Sequence, residues 1–250
     1  MSAGFTLCVD IGGSHIKASV VDRQGRMTCS SIMVPTPEPA TPASVIATVV
    51  TLASRLPPYH RVSVGFPGVV RDGRVLTAPN LGTKRWHEVD LAKRLEAALT
   101  RPVRVLNDAE VQGLGVISGT GLECVITLGT GFGSAVFRDG QLMPHLELGQ
   151  HPAWKSKTYD QFLGHAALLA KGTKRWNRRL ARALGSVAVL LNFDRLYIGG
   201  GNARKVRLRL PRNVTCVANK AGITGGARLW ERRFDGMPGE TRQRNASLRR

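Results

Sequence analysis

The chain has 250 residues, 42% of them hydrophobic, enough for one large domain or two small ones with real cores. No run approaches the ~20 apolar residues of a membrane helix, and no basic segment precedes an apolar one at the N-terminus, so neither a span nor a secretory leader is expected and the expected compartment is the cytoplasm. The net charge of +19 is uneven, with 14 Lys/Arg and 12 Asp/Glu in residues 1–150 but 22 and 5 in residues 151–250, which points to a polyanionic partner or to steering of an anionic substrate, a solvated basic surface being the plainer reading.

In chain order, the pattern predicts a strand at Phe5–Ile11, a turn at Gly12-Gly13-Ser14, a strand at Ile16–Asp22 and a third at Met27–Val34. A Pro-rich loop leads to a helix over Ala43–Leu56, whose apolar residues Val45, Val49, Leu52 and Leu56 recur at helical spacing. A strand at Arg61–Phe66 enters the Gly65-Phe66-Pro67-Gly68 turn, Asp90 caps a helix through Leu99, and a strand at Val103–Leu106 precedes a helix at Ala109–Val116. Cys124–Leu128 and Gly133–Arg138 form a second glycine-turned hairpin, followed by helices at Thr158–Leu169 and Arg175–Leu191. A strand at Arg195–Ile198 then runs into Gly199-Gly200-Gly201-Asn202, with a short strand at Val214–Ala218 and a last helix at Thr224–Arg233. The expected class is α/β, with two halves that each open on a glycine-turned hairpin and leave a cleft between them. The expected domains are 1–108, carrying the first phosphate hairpin and the sugar site, and 109–233, carrying the second hairpin and a basic helix. The last helix is expected to pack back on the first domain, and 234–250 to form a disordered basic tail.

The four cysteines, at 8, 29, 124 and 216, show no CxxC spacing; Cys8, Cys124 and Cys216 fall in apolar strand-like runs and read as buried free thiols.

Three segments carry chemistry. In Asp10-Ile11-Gly12-Gly13-Ser14-His15-Ile16-Lys17, two glycines let backbone N–H groups approach a phosphate, and Asp10 at a strand end can hold Mg²⁺ directly or through water. An ordinary Gly-Gly turn fits the same residues. In Thr127-Leu128-Gly129-Thr130-Gly131-Phe132-Gly133-Ser134, glycines alternate with hydroxyls able to bond phosphate oxygens, and no Gly-Lys-[Ser/Thr] follows to make a Walker loop. Between them, Asn107-Asp108 ends a strand. Asp108 there suits a general base that takes a proton from a sugar hydroxyl as its oxygen attacks a terminal phosphorus, although taken alone a helix cap is the commoner role for such a residue. Asn80 and Glu147 are candidates for binding sugar hydroxyls, and the glycines at 199–201 could admit a nucleoside or phosphate or simply make a tight strand–helix turn.

The ordered series DIGGSHIK, GFPG, APNL, LNDAE, TLGTGFGSA, ELG and YIGGGNA resembles the ROK family of sugar kinases, and within it the polyphosphate-glucokinase branch, over roughly residues 5–233. The resemblance implies the actin-like ATPase (ribonuclease H-like) fold, two α/β domains around a cleft, and transfer of a terminal phosphoryl group to the 6-hydroxyl of a hexose such as glucose, with Asp108 as base. It implies Gly68, Asn80, Asn107, Asp108 and Glu147 on the sugar, and Asp10, Gly12, Gly13, Ser14, Lys17, Thr130 and Gly131 on the donor phosphates. Gly200 and Gly201 line the nucleotide side, and magnesium accompanies the donor. Two departures stand out. Gln150 occupies the place of the family's His after Glu-x-Gly, with His151 next, and the CxCGxxGCxE cluster is missing, so neither structural zinc nor its second sugar-binding glutamate is expected.

The basic second half bears on the donor. Lys171, Lys174, Arg175, Arg178, Arg179 and Arg182 crowd one predicted helix, and Lys205, Arg207, Arg209 and Arg212 follow the glycine turn. Such a surface would hold a polyphosphate chain as it would a nucleic-acid backbone, so polyphosphate, with or without ATP, is the expected donor. The alternatives are a catalytically dead sugar-binding regulator and nonspecific nucleic-acid binding. A DNA-binding repressor of the family needs a helix-turn-helix module, for which no room is expected ahead of Asp10, so specific nucleic-acid binding is not expected. Homodimers are common in such families.

Overall fold

The computed structural model describes residues 4–218 and 221–231; the expected tail at 234–250, and the last two residues of the expected final helix, lie outside the described residues. Two five-stranded mixed sheets of the same plan form the molecule. In the first, β1 (Thr6–Ile11), β2 (His15–Val21) and β3 (Ile32–Pro35) make an antiparallel meander, and β4 (Arg61–Phe66) and β5 (Val103–Asn107) add parallel to β1, giving the order β3-β2-β1-β4-β5. In the second, β6 (Leu122–Leu128), β7 (Phe132–Arg138) and the short β8 (Gln141–Leu142) are antiparallel, and β9 (Arg195–Gly199) and β10 (Val214–Cys216) add parallel to β6. A parallel addition requires a crossover, and three of the four crossovers carry α-helices; the last, 200–213 between β9 and β10, carries only the 3₁₀ turn Ala203–Lys205.

Helix α1 (Pro42–Ala53) begins at Thr41, whose hydroxyl caps Ser44 N–H while Ser44 returns the bond, and Pro42 takes the first-turn place where its missing N–H is harmless. It turns Val45, Val49 and Leu52 inward, each at most 1% exposed, and burial on that scale stabilises by about 1.5–3 kcal/mol per side chain. Helix α2 (Leu91–Leu99) is capped by Asp90 as expected, through Lys93 N–H. Both helices close over the core of the first sheet, which centres on Leu7, Val9, Val62, Val64 and Phe66. A small three-stranded sheet (Val70–Arg71, Arg74–Val75, Val89–Asp90) and a single helical turn, Thr83–Trp86, fill the connection between β4 and α2.

Helix α3 (Asp108–Leu114) occupies the boundary between the sheets: its Ala109, Val111 and Leu114 share a cluster with Val125, Ala135 and Phe137 of the second sheet. It is capped by Asn107 and starts one residue earlier than the spacing predicted, because Asn107 rather than Asp108 supplies the capping oxygen. The third strand runs Ile32–Pro35 rather than Met27–Val34, with Met27 making only an isolated bridge to Val21.

The helices of the second half also differ from the sequence reading. Thr158 caps α4 (Tyr159–Leu163), Gly164 stops it, and α5 (His165–Leu191) follows as one element kinked at Gly172, where φ is 71°. That left-handed geometry is available to glycine at little cost. Trp176, fully buried, ties α5 to the end of α4 by donating to Leu163 O at 2.8 Å. Cys8 and Cys124 are buried free thiols as expected, whereas Cys216 is exposed, because β10 is the edge strand of its sheet. Among the described residues no helix is long and apolar enough to cross a membrane.

The chain end returns to the first sheet. In place of a long helix from Thr224, there is a short α6 (Ala221–Thr224) and a 3₁₀ segment, Gly225–Trp230. Gly225 and Gly226 are pressed so close that an added Cβ would lie 2.9 Å from Gly115 N and 2.6 Å from Cys8 Sγ respectively. Ser63 donates to Gly226 O, Trp230 donates to Ser63 Oγ at 2.8 Å, and the guanidinium groups of Arg61 and Arg104 lie 5.3 and 4.4 Å from the Trp230 ring centre. Trp230→Ala removes the indole packing, the hydrogen bond and both cation–π contacts. It should lower unfolding free energy by about 2–4 kcal/mol, read as a fall in the urea midpoint with little change in slope.

Candidate active site

The two sheets present their strand ends to one cavity of about 340 Å³. Strands β1, β4 and β5 run parallel, so their C-terminal ends lie side by side, with Asp10 level with Gly65 and Phe66 level with Asn107. Gly65 makes the approach of the acidic residues possible, since a Cβ there would sit 3.3 Å from Asp108 Cα and 3.7 Å from Asp10 Oδ1. Carboxyl ends of parallel strands are where open α/β sheets bind ligands.

The two glycine turns face each other. Gly12, Gly13 and Ser14 line one wall, and Gly129, Thr130 and Gly131 the opposite one. A Cβ on Gly13 would stand 3.0 Å from Asn80 Cβ and 3.8 Å from Thr130 Cγ2. The first turn closes through Gly12 N–H to His15 O and is anchored by Thr36 Oγ1, which donates to Gly12 O at 2.7 Å. The second is held from behind by Asn202 Nδ2 and His165 N–H, both donating to Gly129 O at 3.0 Å.

Of the residues expected at the site, Asp10, Gly12, Gly13, Ser14, Gly68, Asn80, Asn107, Asp108, Thr130, Gly131, Glu147, Gly200 and Gly201 all line this cavity. Lys17 does not. It is the cross-strand partner of Asp10 on β2, so it acts on that carboxylate through charge rather than from the cavity wall. Asn107 lines the cavity, but its amide is engaged by the protein: Nδ2 donates to Phe66 O and Gly68 O, and Oδ1 accepts from Ala109 N–H. It shapes the Gly68 turn and starts α3. Gly200 and Gly201 open onto a second cavity of about 440 Å³ lined by Arg204, Cys216 and Val217.

Burial is the main cause lifting the Asp108 carboxyl, joined by repulsion from Asp10, Glu147 and Glu110 and opposed by the Ala109 N–H; together they bring it to about 7. Asp10 is also raised, chiefly by burial, with Lys17 pulling the other way. Among the described residues neither Asp10 oxygen has a hydrogen-bond partner, so its lone pairs are open to the cavity. An open carboxylate beside a phosphate cradle fits Mg²⁺, which binds through one or two carboxylates, waters and substrate phosphates rather than an all-protein cage. No cluster of three or more His, Cys, Asp or Glu able to hold a metal occurs among the described residues.

The sequence reading missed four site residues. Asp160 accepts from Phe132 N–H at 2.7 Å and from Gln150 Nε2 at 2.8 Å, so Gln150 spends its side chain joining the second turn to the 147–150 segment. In sequence Asp160 is only an acid in the first turn of a capped helix. Gln112 lines the cavity with a buried amide nitrogen that has no hydrogen-bond partner among the described residues. Glu110 and His145 pair at 2.8 Å beneath Glu147. The Asn-x-x-Glu capping signature could have flagged Glu110, while nothing in the sequence distinguishes His145 from a loop histidine.

The sequence signature of the ROK family matches residues 6–149. The polyphosphate glucokinase of Mycobacterium leprae is 33% identical over 239 residues, covering 88% of this chain and 72% of that protein. The crystal structure of the inorganic polyphosphate/ATP-glucomannokinase from Arthrobacter sp. strain KM superposes with a TM-score of 0.81 at 33% identity, over 90% of this chain and 97% of the other. A ROK family glucokinase from Streptomyces griseus, solved with glucose and AMPPNP, shares the fold at a TM-score of 0.77 and 23% identity, over 90% and 99% of the two chains. The architecture of paired mixed sheets is thus the actin-like fold of two α/β domains. The chain belongs to the ROK family.

Proposed function

We propose that this protein is a glucokinase that transfers the terminal phosphoryl group of inorganic polyphosphate or ATP to the 6-hydroxyl of glucose, with Asp108 as general base. The observation that carries the reading is the placement of Asp108, directly after β5, in a cavity walled by both glycine turns. A carboxyl near 7 is matched to its task, because at neutral pH a substantial fraction is ionised and basic enough to accept a hydroxyl proton. The sugar oxygen then bonds to the terminal phosphorus, the bond from that phosphorus to the donor's bridging oxygen breaks, and the shortened donor carries the negative charge away. Asp108 holds the proton until solvent takes it.

Asn80, Glu147 and the Gly68 turn form the sugar side, with Asn107 setting the shape of that turn. The backbone of Gly12, Gly13, Gly129 and Gly131, with the hydroxyls of Ser14 and Thr130, receives the donor phosphates, where amide dipoles stabilise charge as it develops. Magnesium, held at Asp10, would neutralise the donor oxygens. Work in the cytoplasm suits these substrates.

For the donor, a basic route leads away from the cavity past Gly200–Gly201 to Arg204, Lys205 and Arg207, all exposed. Asn177 ties this segment to α5: it donates to Lys205 O at 3.0 Å and accepts from Arg207 N–H at 2.7 Å. The basic helix and the basic loop therefore adjoin, which favours a long anion over a single nucleotide. The test is initial rates with ATP, GTP and polyphosphate against glucose, mannose, fructose and N-acetylated hexoses. Formation of glucose 6-phosphate is expected, and the absence of any sugar phosphate with all donors would sink the kinase reading. Raising KCl from ~50 to ~200 mM should raise the polyphosphate KM by about tenfold or more but the ATP KM only about twofold, since several exchangeable phosphate contacts are screened in the first case and few in the second.

A further inference from the structure

Glu110, His145 and Glu147 form a chain, buried at Glu110 and half-buried at the other two, that crosses between the two halves of the site. Glu110, 3% exposed, is the third residue of α3. Its Oε2 accepts the Asn107 N–H at 3.0 Å, which fixes the start of the helix carrying Asp108, and its Oε1 accepts from His145 Nδ1 at 2.8 Å. His145 belongs to the loop after β8, on the other sheet. Its second nitrogen, Nε2, lies 3.5 Å from Glu147 Oε2, close enough to pair as charges but too long for a good hydrogen bond. Both of those atoms are buried and, among the described residues, otherwise without a hydrogen-bond partner. Burial disfavours charge on this imidazole, but the Glu110 hydrogen bond and the attraction of Glu110 and Glu147 outweigh it and lift the ring to about 9, so it is a cation at neutral pH.

One cation thus serves two carboxylates, one fixing the helix of the base and one facing the cavity. Without it, the Glu110 and Glu147 carboxylates would stand uncompensated beside Asp108, and Glu147 would lack the partner that sets its plane. We propose that His145 is a positioning residue for sugar recognition, holding Glu147 toward a hexose hydroxyl and tethering it, through Glu110, to the helix that carries Asp108. The inference rests on the glucokinase reading for the identity of the ligand. The open Nε2–Oε2 distance is the adjustable link: a hydroxyl that draws Glu147 into the cavity moves it relative to an imidazole anchored on Glu110.

The test separates sugar from donor. His145→Gln is expected to raise glucose KM, and glucose Kd by calorimetry, about 10- to 100-fold, the range typical of groups that hold a ligand residue in place. The KM for the donor should stay within about twofold and kcat within about threefold. Coupling is checked by pairing His145→Gln with Glu147→Gln, where the second substitution should add little to the loss. A folded His145→Gln protein with unchanged glucose Kd, or one in which only kcat or donor KM changes, would overturn the proposal. In the unmodified protein, the His145 ring resonances should shift on adding glucose and stay in place on adding donor alone; signals unmoved by glucose overturn it even if the variant fails to fold. Glucose binding without phosphoryl transfer would defeat the kinase reading yet leave the Kd test of His145 intact, whereas no binding of any hexose would defeat this proposal.

Discussion

Asp108→Asn is expected to lower kcat by about 10²- to 10⁴-fold while making the folded protein more stable above neutral pH. Asparagine keeps the size and the oxygen that accepts the Ala109 N–H at 2.8 Å, so the change removes proton-accepting capacity rather than shape. For the unmodified enzyme, kcat/KM should rise as pH increases through about 7, because the ionised carboxylate is the active form. The stability effect has the opposite dependence. A carboxyl raised from 3.8 to about 7 in the folded state binds its proton more tightly there than in the unfolded chain. That preference contributes fully below the unfolded value and is lost as pH climbs through the folded one. At pH 8 the native protein carries the repulsion among Asp108, Asp10, Glu147 and Glu110, which the Asn variant relieves. A gain of about 1–3 kcal/mol is expected at pH 8 in magnesium-free buffer, seen as a Tm several degrees higher, with no gain near pH 4. Near-full turnover in this variant would show that another group accepts the proton.

Gly200→Ala should cost about 2–4 kcal/mol of stability and at least tenfold in kcat/KM for the donor, while Gly201→Ala, one residue on, should be nearly silent. Gly200 has φ of 84°, and a Cβ there would lie 2.5, 2.6 and 2.8 Å from Leu128 O, N and C. Those are backbone atoms on both sides, so no rotamer change relieves the contact. Leu128 leads directly into the Gly129–Gly131 turn, and Asn202 N–H donates to Leu128 O at 2.8 Å, so displacement would reach the donor wall. An added Cβ on Gly201 meets nothing within 4 Å. Thermal melts and donor titrations of the two variants provide the comparison, and equal behaviour would remove the structural argument for a tight wall at Gly200.

The strands and both glycine turns were legible because each combines an apolar run with residues that few conformations tolerate, as at Gly12-Gly13 and Gly129-Thr130-Gly131. Asp108 was legible through its place after a buried strand, although a cap and a base look alike there. In the structure Asn107 is the cap, while Asp108, whose Oδ1 also accepts the Ala109 N–H, lines the cavity. Partnerships between distant segments were not legible. Gln150 with Asp160, and His145 with Glu110, join residues 10 and 35 positions apart through loops whose course no local pattern encodes. The break at Gly172 falls in the gap, 170–174, between the two expected helices, whereas the stop at Gly164 was hidden inside the first of them, and the 3₁₀ form of 225–230 reflects close packing on Gly115 and Cys8, a tertiary demand that overrides the local preference for helix.

The bond between Ser63 and Gly226 spans 163 positions, and the segment around it covers Cys8 and Val21. During synthesis the first sheet therefore leaves the ribosome long before its own lid, and must persist with an open apolar face while the entire second half is translated. A chain cut after residue 220 would uncover Cys8 and Val21, so it is expected to unfold at a lower urea concentration and to aggregate more readily than the full chain.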